Sequence, residues 1–328
     1  MKLLQLPSLI QHEVYKNLSP TEMLILSMAS KGILDSMKQF QWDVTTVLIE
    51  FWKEEILISF PMKNINGGYR RELIEFRTKS FPNVCCITDA NGPTLLFNHV
   101  FKRTVAMEMH NLIFNLFSRS AELKLEVCLY KIQSYSPIPN VRVASISDES
   151  IPIHVIYEFI NLNPKMEALK LYMRDIDGCT SSTMFSVKSL WIYYTKAPFI
   201  EYIKHFKGRD IIFSSNSVET SKLVVAFIEK WKNGEYSENL EFVHVYNHSS
   251  SLPCGIHRRF RNELKPWNET EMPRFYRFGS ELDSNFGIGT ENYDFEGGFY
   301  IERAIDGQVA LLKLNPWIMS FWILKTDT

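Results

Sequence analysis

Leu190-Trp191-Ile192-Tyr193-Tyr194, followed after Pro198 by Phe199, Ile200, Ile203 and Phe206, and then by Ile211-Ile212-Phe213, is the stretch that decides the fold. Its two ends are short apolar runs of β-branched and aromatic residues, which read as strands. Its middle places apolar residues at helical spacing behind a proline, which reads as a helix.

The same unit recurs on either side. Ala168 to Tyr172 precedes it as a strand, and Leu240 to Val245 follows it. Between them Leu223, Val224, Phe227, Ile228 and Trp231 form a second helical stripe, opened by Ser217 or Thr220 and closed by Asn233-Gly234. The anchors Leu169, Leu190 and Ile211 are 21 residues apart each time, and Leu240 follows after 29. That range suits repeated strand–helix units, each too small to fold alone and stable only when stacked on its neighbours. The expectation is an open or curved sheet with one helical layer. Leu123 to Val127 and, more weakly, Val141 to Ile146 alternate as strands upstream.

The C-terminal part changes character. Phe299 to Arg303, Asp306-Gly307 and Val309 to Leu314 predict a β-hairpin with a D-G turn, and Trp317 to Leu324 a buried final strand. A hairpin there would cover a sheet edge that otherwise invites aggregation. Residues 40–110 are less legible. Phe81 to Ile87 and Pro93 to Phe97 suggest short strands, Gly67-Gly68 and Asn91-Gly92 suggest turns, and His110 to Phe117 suggests a helix.

The first forty residues read as three short helices. Pro7 sits where a helix can begin, since its missing N–H has no partner there anyway. Ser19 reads as an N-cap, Pro20 as the first helical residue and Glu22 as the partner in an S-x-x-E capping box. Ser30 to Lys38 makes the third helix, with Ile33, Leu34 and Met37 apolar. So small a segment cannot bury all its apolar groups internally. It is either a cap on the downstream domain or a docking module whose Leu6, Pro7, Ile10, Val14 and Leu24 face a partner.

Composition narrows the class. Hydrophobic residues make up 45% and charged residues 22% of 328, with a formal net charge of −1, so neither disorder nor a global pull toward nucleic acid or anionic membrane is indicated. No apolar run approaches the roughly 20 residues that span a bilayer, and the N-terminus lacks a signal-peptide pattern, so the chain reads as cytoplasmic or nuclear. The five scattered cysteines read as free thiols.

Two stretches resemble a known family. Leu6-Pro7, Leu9-Ile10, Val14, Leu18-Ser19-Pro20, Glu22-Met23-Leu24 and Leu26-Ser27-Met28-Ala29-Ser30 look like an F-box of the nematode type. Phe227-Ile228-Glu229-Lys230-Trp231 with Gly234, then Asn239-Leu240-Glu241, and the element ending at Gly307, resemble the type 2 F-box-associated domain. The resemblance implies an α+β chain with an F-box at 1–42, a connecting α/β region at 43–118, and a leucine-rich-repeat-like β/α domain with a C-terminal hairpin at 119–328. It implies a substrate receptor of an SCF-type ubiquitin ligase, docked on a Skp-type adaptor, and through it a cullin scaffold, by Leu6, Pro7, Ile10, Val14, Leu18, Pro20 and Leu24. A target protein of unknown identity would be held by the C-terminal domain. The alternative is a repeat-type interaction module uncoupled from any ligase.

Chemistry-bearing candidates are weak. His244 and His248 are four apart, but on a strand running into a loop this spacing does not converge on a metal. Gly287-Ile288-Gly289-Thr290 lacks the strand and helix that make a phosphate loop. The run His257-Arg258-Arg259-Phe260-Arg261 lies near Glu263 and reads as an exposed loop. No nucleophile or acid–base arrangement and no cofactor motif is recognisable, so no enzyme, metal or cofactor is expected.

Overall fold

The anchors spaced 21 apart form a single row of a parallel sheet: Leu169 pairs with Leu190, and Leu190 with Ile211. The computed structural model describes residues 3–42, 44, 46–51, 55–63, 69–79, 85–89, 92–98, 102–117, 124–130, 139–147, 152–172, 184–195, 199–215, 217–236, 238–248, 253–268, 270, 272–277 and 292–325. The chain is mixed α/β and divides into two units, Met1–Ala144 and Ser145–Thr328.

In the first unit three helices, α1 (Ser8–Lys16), α2 (Pro20–Ala29) and α3 (Lys31–Met37), precede strands β1 (Thr46–Phe51), β2 (Glu55–Lys63), β3 (Tyr69–Lys79), β4 (Cys85–Asp89) and β5 (Gly92–Asn98), then helix α4 (Lys102–Phe117) and strand β6 (Lys124–Tyr130). The capping box is present at the start of α2: the Glu22 amide donates to Ser19 Oγ, and the Ser19 amide donates to Glu22 Oε2 at 2.8 Å. The strand order is β6-β1-β2-β3-β5-β4, with β1 parallel to β6 and antiparallel to β2. The long antiparallel run β1–β2–β3 was not anticipated. Its Ile56, Ile58 and Phe60 alternate inward, an alternation that the sequence reading did not pick out on either side of Gly67-Gly68. The anticipated Gly67-Gly68 turn, and Asn91 of the Asn91-Gly92 turn, lie outside the described residues.

The second unit follows β7 (Val143–Ser147), which starts just before the division, with α5 (Ile153–Leu162), β8 (Ala168–Tyr172), β9 (Ser189–Thr195), α6 (Phe199–His205), β10 (Asp210–Ser215), α7 (Thr220–Lys232) and β11 (Phe242–Asn247). After them come α8 (Pro253–Phe260), β12 (Lys265–Pro266), β13 (Phe275–Arg277), β14 (Asn292–Asp294), β15 (Phe299–Glu302), β16 (Val309–Asn315) and β17 (Ile318–Ile323). Strands β8 to β11 are parallel and lie in chain order. The fourth row position belongs to Val243, which pairs with Ile211, and not to Leu240. Leu240 is buried just ahead of the strand, because β11 begins only at Phe242.

Alternation gives the sheet its two faces. Phe213 meets Tyr202 of α6, with ring centroids 6.0 Å apart, and Phe321 of β17 meets Phe227 and Trp231 of α7 at 5.1 Å each. The pairing Val243↔Phe321 puts these contacts on one face. The opposite face carries Lys170, Trp191, Ile212 and His244, all buried. The C-terminal meander forms as expected: β15 and β16 are antiparallel with Gly307 in the turn at φ +75°, and β17 pairs antiparallel with both β16 and β11. Trp317, read as part of the buried final strand, is 54% exposed at the turn before β17.

Backbone hydrogen bonds continue the ladder ahead of the strands. Ser189 N donates to Glu167 O (2.9 Å), Arg209 N to Lys188 O (2.7 Å), Glu241 N to Arg209 O (2.9 Å) and Ile323 N to Glu241 O (2.8 Å). Gly208 is where this approach is tightest. A Cβ there would lie 2.1 Å from Val187 O and 2.7 Å from Lys188 O. Backbone cannot swing aside as a side-chain tip does, so Gly208→Ala is expected to destabilise the protein by about 1–3 kcal/mol or more. Denaturant unfolding checks this; an unchanged midpoint would show that the approach is looser than described.

Candidate functional site

Helix α1 leaves two large aliphatics in solvent. Its buried residues are Gln11 and Tyr15, whereas Leu9 is 71% and Ile10 48% exposed. Gln11 tolerates burial because its amide is satisfied: Nε2 donates to Leu6 O at 2.6 Å, and Oε1 accepts from Ser36 Oγ of α3. Tyr15 packs against Phe40 and Trp42, and His12 stacks on Phe40 at 4.5 Å. With polar and aromatic groups holding the inner side, Leu9 and Ile10 are left on the outer side, while Val14 is half-buried. Leu4, just ahead of the helix, is also exposed.

Of the residues implied in adaptor docking, Pro7 is exposed as the N-cap of α1, Ile10 is exposed, and Leu6, Val14, Leu18 and Pro20 are half-buried. Leu24 is different. It is fully buried with Met23, so its side chain belongs to the core of this unit and offers no surface to a partner. The helix α2 is apolar on more than one side, and the position of its inner face is set by tertiary packing that spacing alone does not reveal.

In the second unit, two segments distant in sequence meet. Arg303, in the β15–β16 turn, lays its guanidinium over the Trp231 ring at 5.4 Å and donates from one terminal nitrogen to Trp231 O at 3.4 Å. The same guanidinium makes a two-pronged pair with Asp306, whose Oδ1 also accepts from Gln308 N at 3.1 Å. Beside this clasp lies a cleft of about 280 Å³ lined by Trp231, Gly234, Tyr236, Glu238, Leu240, Arg303, Ile305, Asp306, Gln308 and Ile323. Trp231 and Gly234 come from the motif Phe227–Gly234, so the two C-terminal stretches singled out in the sequence converge here. Tyr236, Glu238 and Ile305 were not anticipated; they lie in connections, where neither spacing nor motif marks them.

A third cluster surrounds a buried carboxylate and reaches the surface only at Arg209 and Glu241. Asp210, at the start of β10, has no exposed surface and accepts from Ser189 Oγ (2.8 Å), from Arg209 Nε (3.0 Å) and from the Tyr276 hydroxyl. Arg209 also approaches Glu241 at 3.9 Å. Burial pulls the Arg209 guanidinium toward neutrality, but its hydrogen bonds and charge contact with Asp210 outweigh that and hold it charged well above its ordinary range. Burial first, and then the Asp210 charge, push the Tyr276 hydroxyl far above its ordinary value. Asp210 and Ser189 are both buried, so this carboxylate–hydroxyl pair is closed to solvent.

The histidine pair does not converge. His244 is buried on β11 with Nδ1 2.9 Å from Ser320 Oγ, while His248 is exposed and its Nε2 lies 3.0 Å from Ser214 Oγ. Among the described residues there is no group of three or more His, Cys, Asp or Glu placed to hold a metal ion. The basic run His257–Arg261 is not a loop: its first four residues form the last turn of α8, with Phe260 buried and Arg259 paired to Glu229 at 2.6 Å. Gly287–Thr290 lies outside the described residues. No described helix is long and apolar enough to cross a membrane. Comparison with protein-family models, curated proteins and solved structures finds no match to the chain.

Two pH effects follow. Burial lowers the His244 imidazole from 6.5 to about 3, so the folded protein resists a proton that the unfolded chain accepts. Stability is therefore full above pH 6.5 and falls as the pH drops from there toward about 3, by up to about 1.4 kcal/mol per pH unit. Denaturant unfolding across that window should show the slope reduced in His244→Gln; equal slopes would assign the acid sensitivity elsewhere. Asp306 has the opposite charge type: its hydrogen bonds from Arg303 bring the carboxyl from 3.8 down to about 2. The clasp thus contributes above pH 3.8, and its contribution disappears as the pH falls through about 2. The melting-temperature gap between wild type and Asp306→Asn is expected to close over that interval, and a constant gap would mean that the carboxylate charge plays no part.

Proposed function

We propose that this chain is a non-enzymatic substrate receptor of an SCF-type ubiquitin ligase. Its N-terminal helices act as an F-box docking a Skp-type adaptor, and through that adaptor a cullin scaffold. Its second unit acts as a leucine-rich-repeat-like β/α domain, closed by the C-terminal hairpin, that holds a target protein. Transfer chemistry then occurs on other subunits, and this chain needs only to bring its target near them.

The observation that carries the reading is the pair of large aliphatics, Leu9 and Ile10, that α1 leaves exposed. An isolated exposed leucine is ordinary on a protein surface, but a helix that buries glutamine and tyrosine while presenting Leu9 and Ile10 is shaped for contact. Fully burying each of these side chains against a partner is worth about 1.5–3 kcal/mol. The helix order, the Leu6-Pro7 start and the capping box at Ser19–Glu22 agree with the F-box resemblance. Four parallel strands in chain order, with α6 between β9 and β10 and α7 between β10 and β11, support the repeat-like domain.

A second reading has its own support. Met23, Leu24 and Met37 are buried, and α2 lies against β3 and α4, as a helical cap integral to the first unit would. In that case the chain is an interaction module without ligase coupling.

Affinity purification of the tagged chain with a Skp-type adaptor separates the two. The receptor reading expects adaptor capture at micromolar concentration or below, reduced at least about tenfold, or about 1.4 kcal/mol, by Leu9→Asp with Ile10→Asp while the thermal melt is retained. Leu24→Ala should instead lower stability by about 2–5 kcal/mol. Absence of capture by the wild-type chain would leave the cap reading standing.

A further inference from the structure

We propose that the cleft beside the Arg303–Asp306 clasp binds a basic side chain, lysine or arginine, presented by an extended segment of a partner protein. In the receptor reading this is a point where the target is held, so the inference deepens that reading and rests on it for the word target.

Size sets the first limit. At about 280 Å³ the cleft lies just under the roughly 300–1,000 Å³ of sites that engulf small molecules, and it suits one long side chain with its flanking backbone. The walls set the second. Leu240, Ile323 and Trp231 are buried and make an apolar floor, and Ile305, 72% exposed, extends that surface to the rim. A lysine or arginine stem of several methylenes lies along such a surface while its charged head stays near water.

Charge selects between ligands. Arg303 is already engaged by Asp306, by the Trp231 carbonyl and by the Trp231 ring, so it offers little to an incoming anion. Asp306 is matched by Arg303. The remaining charge on the lining is Glu238, exposed, with no cation paired to it among the described residues. An acidic segment would be repelled by it, and an apolar segment would cover a carboxylate without compensating it. A cationic head group satisfies Glu238 and leaves the Arg303–Asp306 clasp undisturbed. Gly234, at φ +73°, and Gly307, at φ +75°, have open space where a Cβ would be, so no side chain from either glycine crowds the approach.

The test uses the full chain and two capped peptides, acetyl-Gly-Leu-Lys-Leu-Gly-amide and its counterpart with glutamate replacing lysine, titrated calorimetrically at low salt. The lysine peptide is expected to bind with a Kd of about 10 µM to 1 mM, and the glutamate peptide at least about tenfold more weakly. Glu238→Gln should cost the lysine peptide at least tenfold, and Ile305→Ser severalfold. Both side chains are exposed, so both variants are expected to keep the wild-type melt. Equal affinity for the two peptides, no lysine-peptide binding at 1 mM, or an inert Glu238→Gln would overturn the proposal. Adaptor capture by the same preparations separates the failures. Capture without peptide binding removes the cleft alone. Peptide binding without capture removes the ligase role and leaves a module that holds basic segments.

Discussion

A carboxylate with no exposed surface has to be matched by its surroundings, and in the second unit Asp210 imposes that condition on everything near it. A buried, uncompensated charge costs far more than any single aliphatic contact returns, so the groups around Asp210 are obliged to hold their places. Ser189 supplies a hydroxyl from β9, Arg209 supplies the cation from the residue before β10, and Tyr276 supplies a hydroxyl from β13. The Tyr276 ring then stacks on Phe242 at 4.5 Å and 3°, and meets Trp322 at 5.1 Å. One carboxylate thereby ties together strands β9 and β10 and the segment that carries Tyr276. Such a network confers register more surely than it confers stability, since an apolar replacement of the whole set could be as stable but would not care which strand sat beside which.

A comparable division of labour operates in the first unit, with hydrogen bonds in place of charge. Gln11 is held by the Leu6 carbonyl and by Ser36, and Tyr15 sits in a cluster of Phe40 and Trp42. These polar and aromatic contacts do the orienting that an aliphatic stripe does in most amphipathic helices. The leucine and isoleucine of α1 are released from core duty, and the surface they form is available for recognition.

The row of parallel strands was legible because its information is local. The 21-residue spacing of Leu169, Leu190 and Ile211 became one row of paired residues, and the Asp306-Gly307 turn became a hairpin turn, since a left-handed glycine and a short aspartate leave few alternatives. Reading Leu240 as the fourth anchor failed by a few residues for a related reason: a buried leucine ahead of a strand has the same hydropathy as one inside it. The polarity of α1 was illegible in detail. Leu9, Ile10, Val14 and Leu18 recur at helical spacing, and nothing in that spacing says whether the stripe faces in or out. Leu24 was assigned to the surface for the same reason and proved to be core. The Asp210 network and the Glu238 cleft depend on residues brought together across 66 and more positions of chain, by contacts that only the folded topology creates.

The position of β17 has a consequence for how the protein is made. It lies between β11 and β16, so the parallel set reaches its antiparallel cover only through the strand that comes last in chain order among the described residues. While the chain leaves the ribosome, β11 presents an unpaired row of amide and carbonyl groups on one side until Ile318–Ile323 emerges. During that interval the nascent protein has a sticky flank, open to another strand or to a chaperone. The hairpin β15–β16 can form earlier and pair with β12, with Arg303 reaching Trp231, but β16 joins the parallel set only through β17. Completion of this sheet therefore waits on the synthesis of Ile318–Ile323, and a ribosome stalled a few codons short of β17 would leave the β11 edge unpaired.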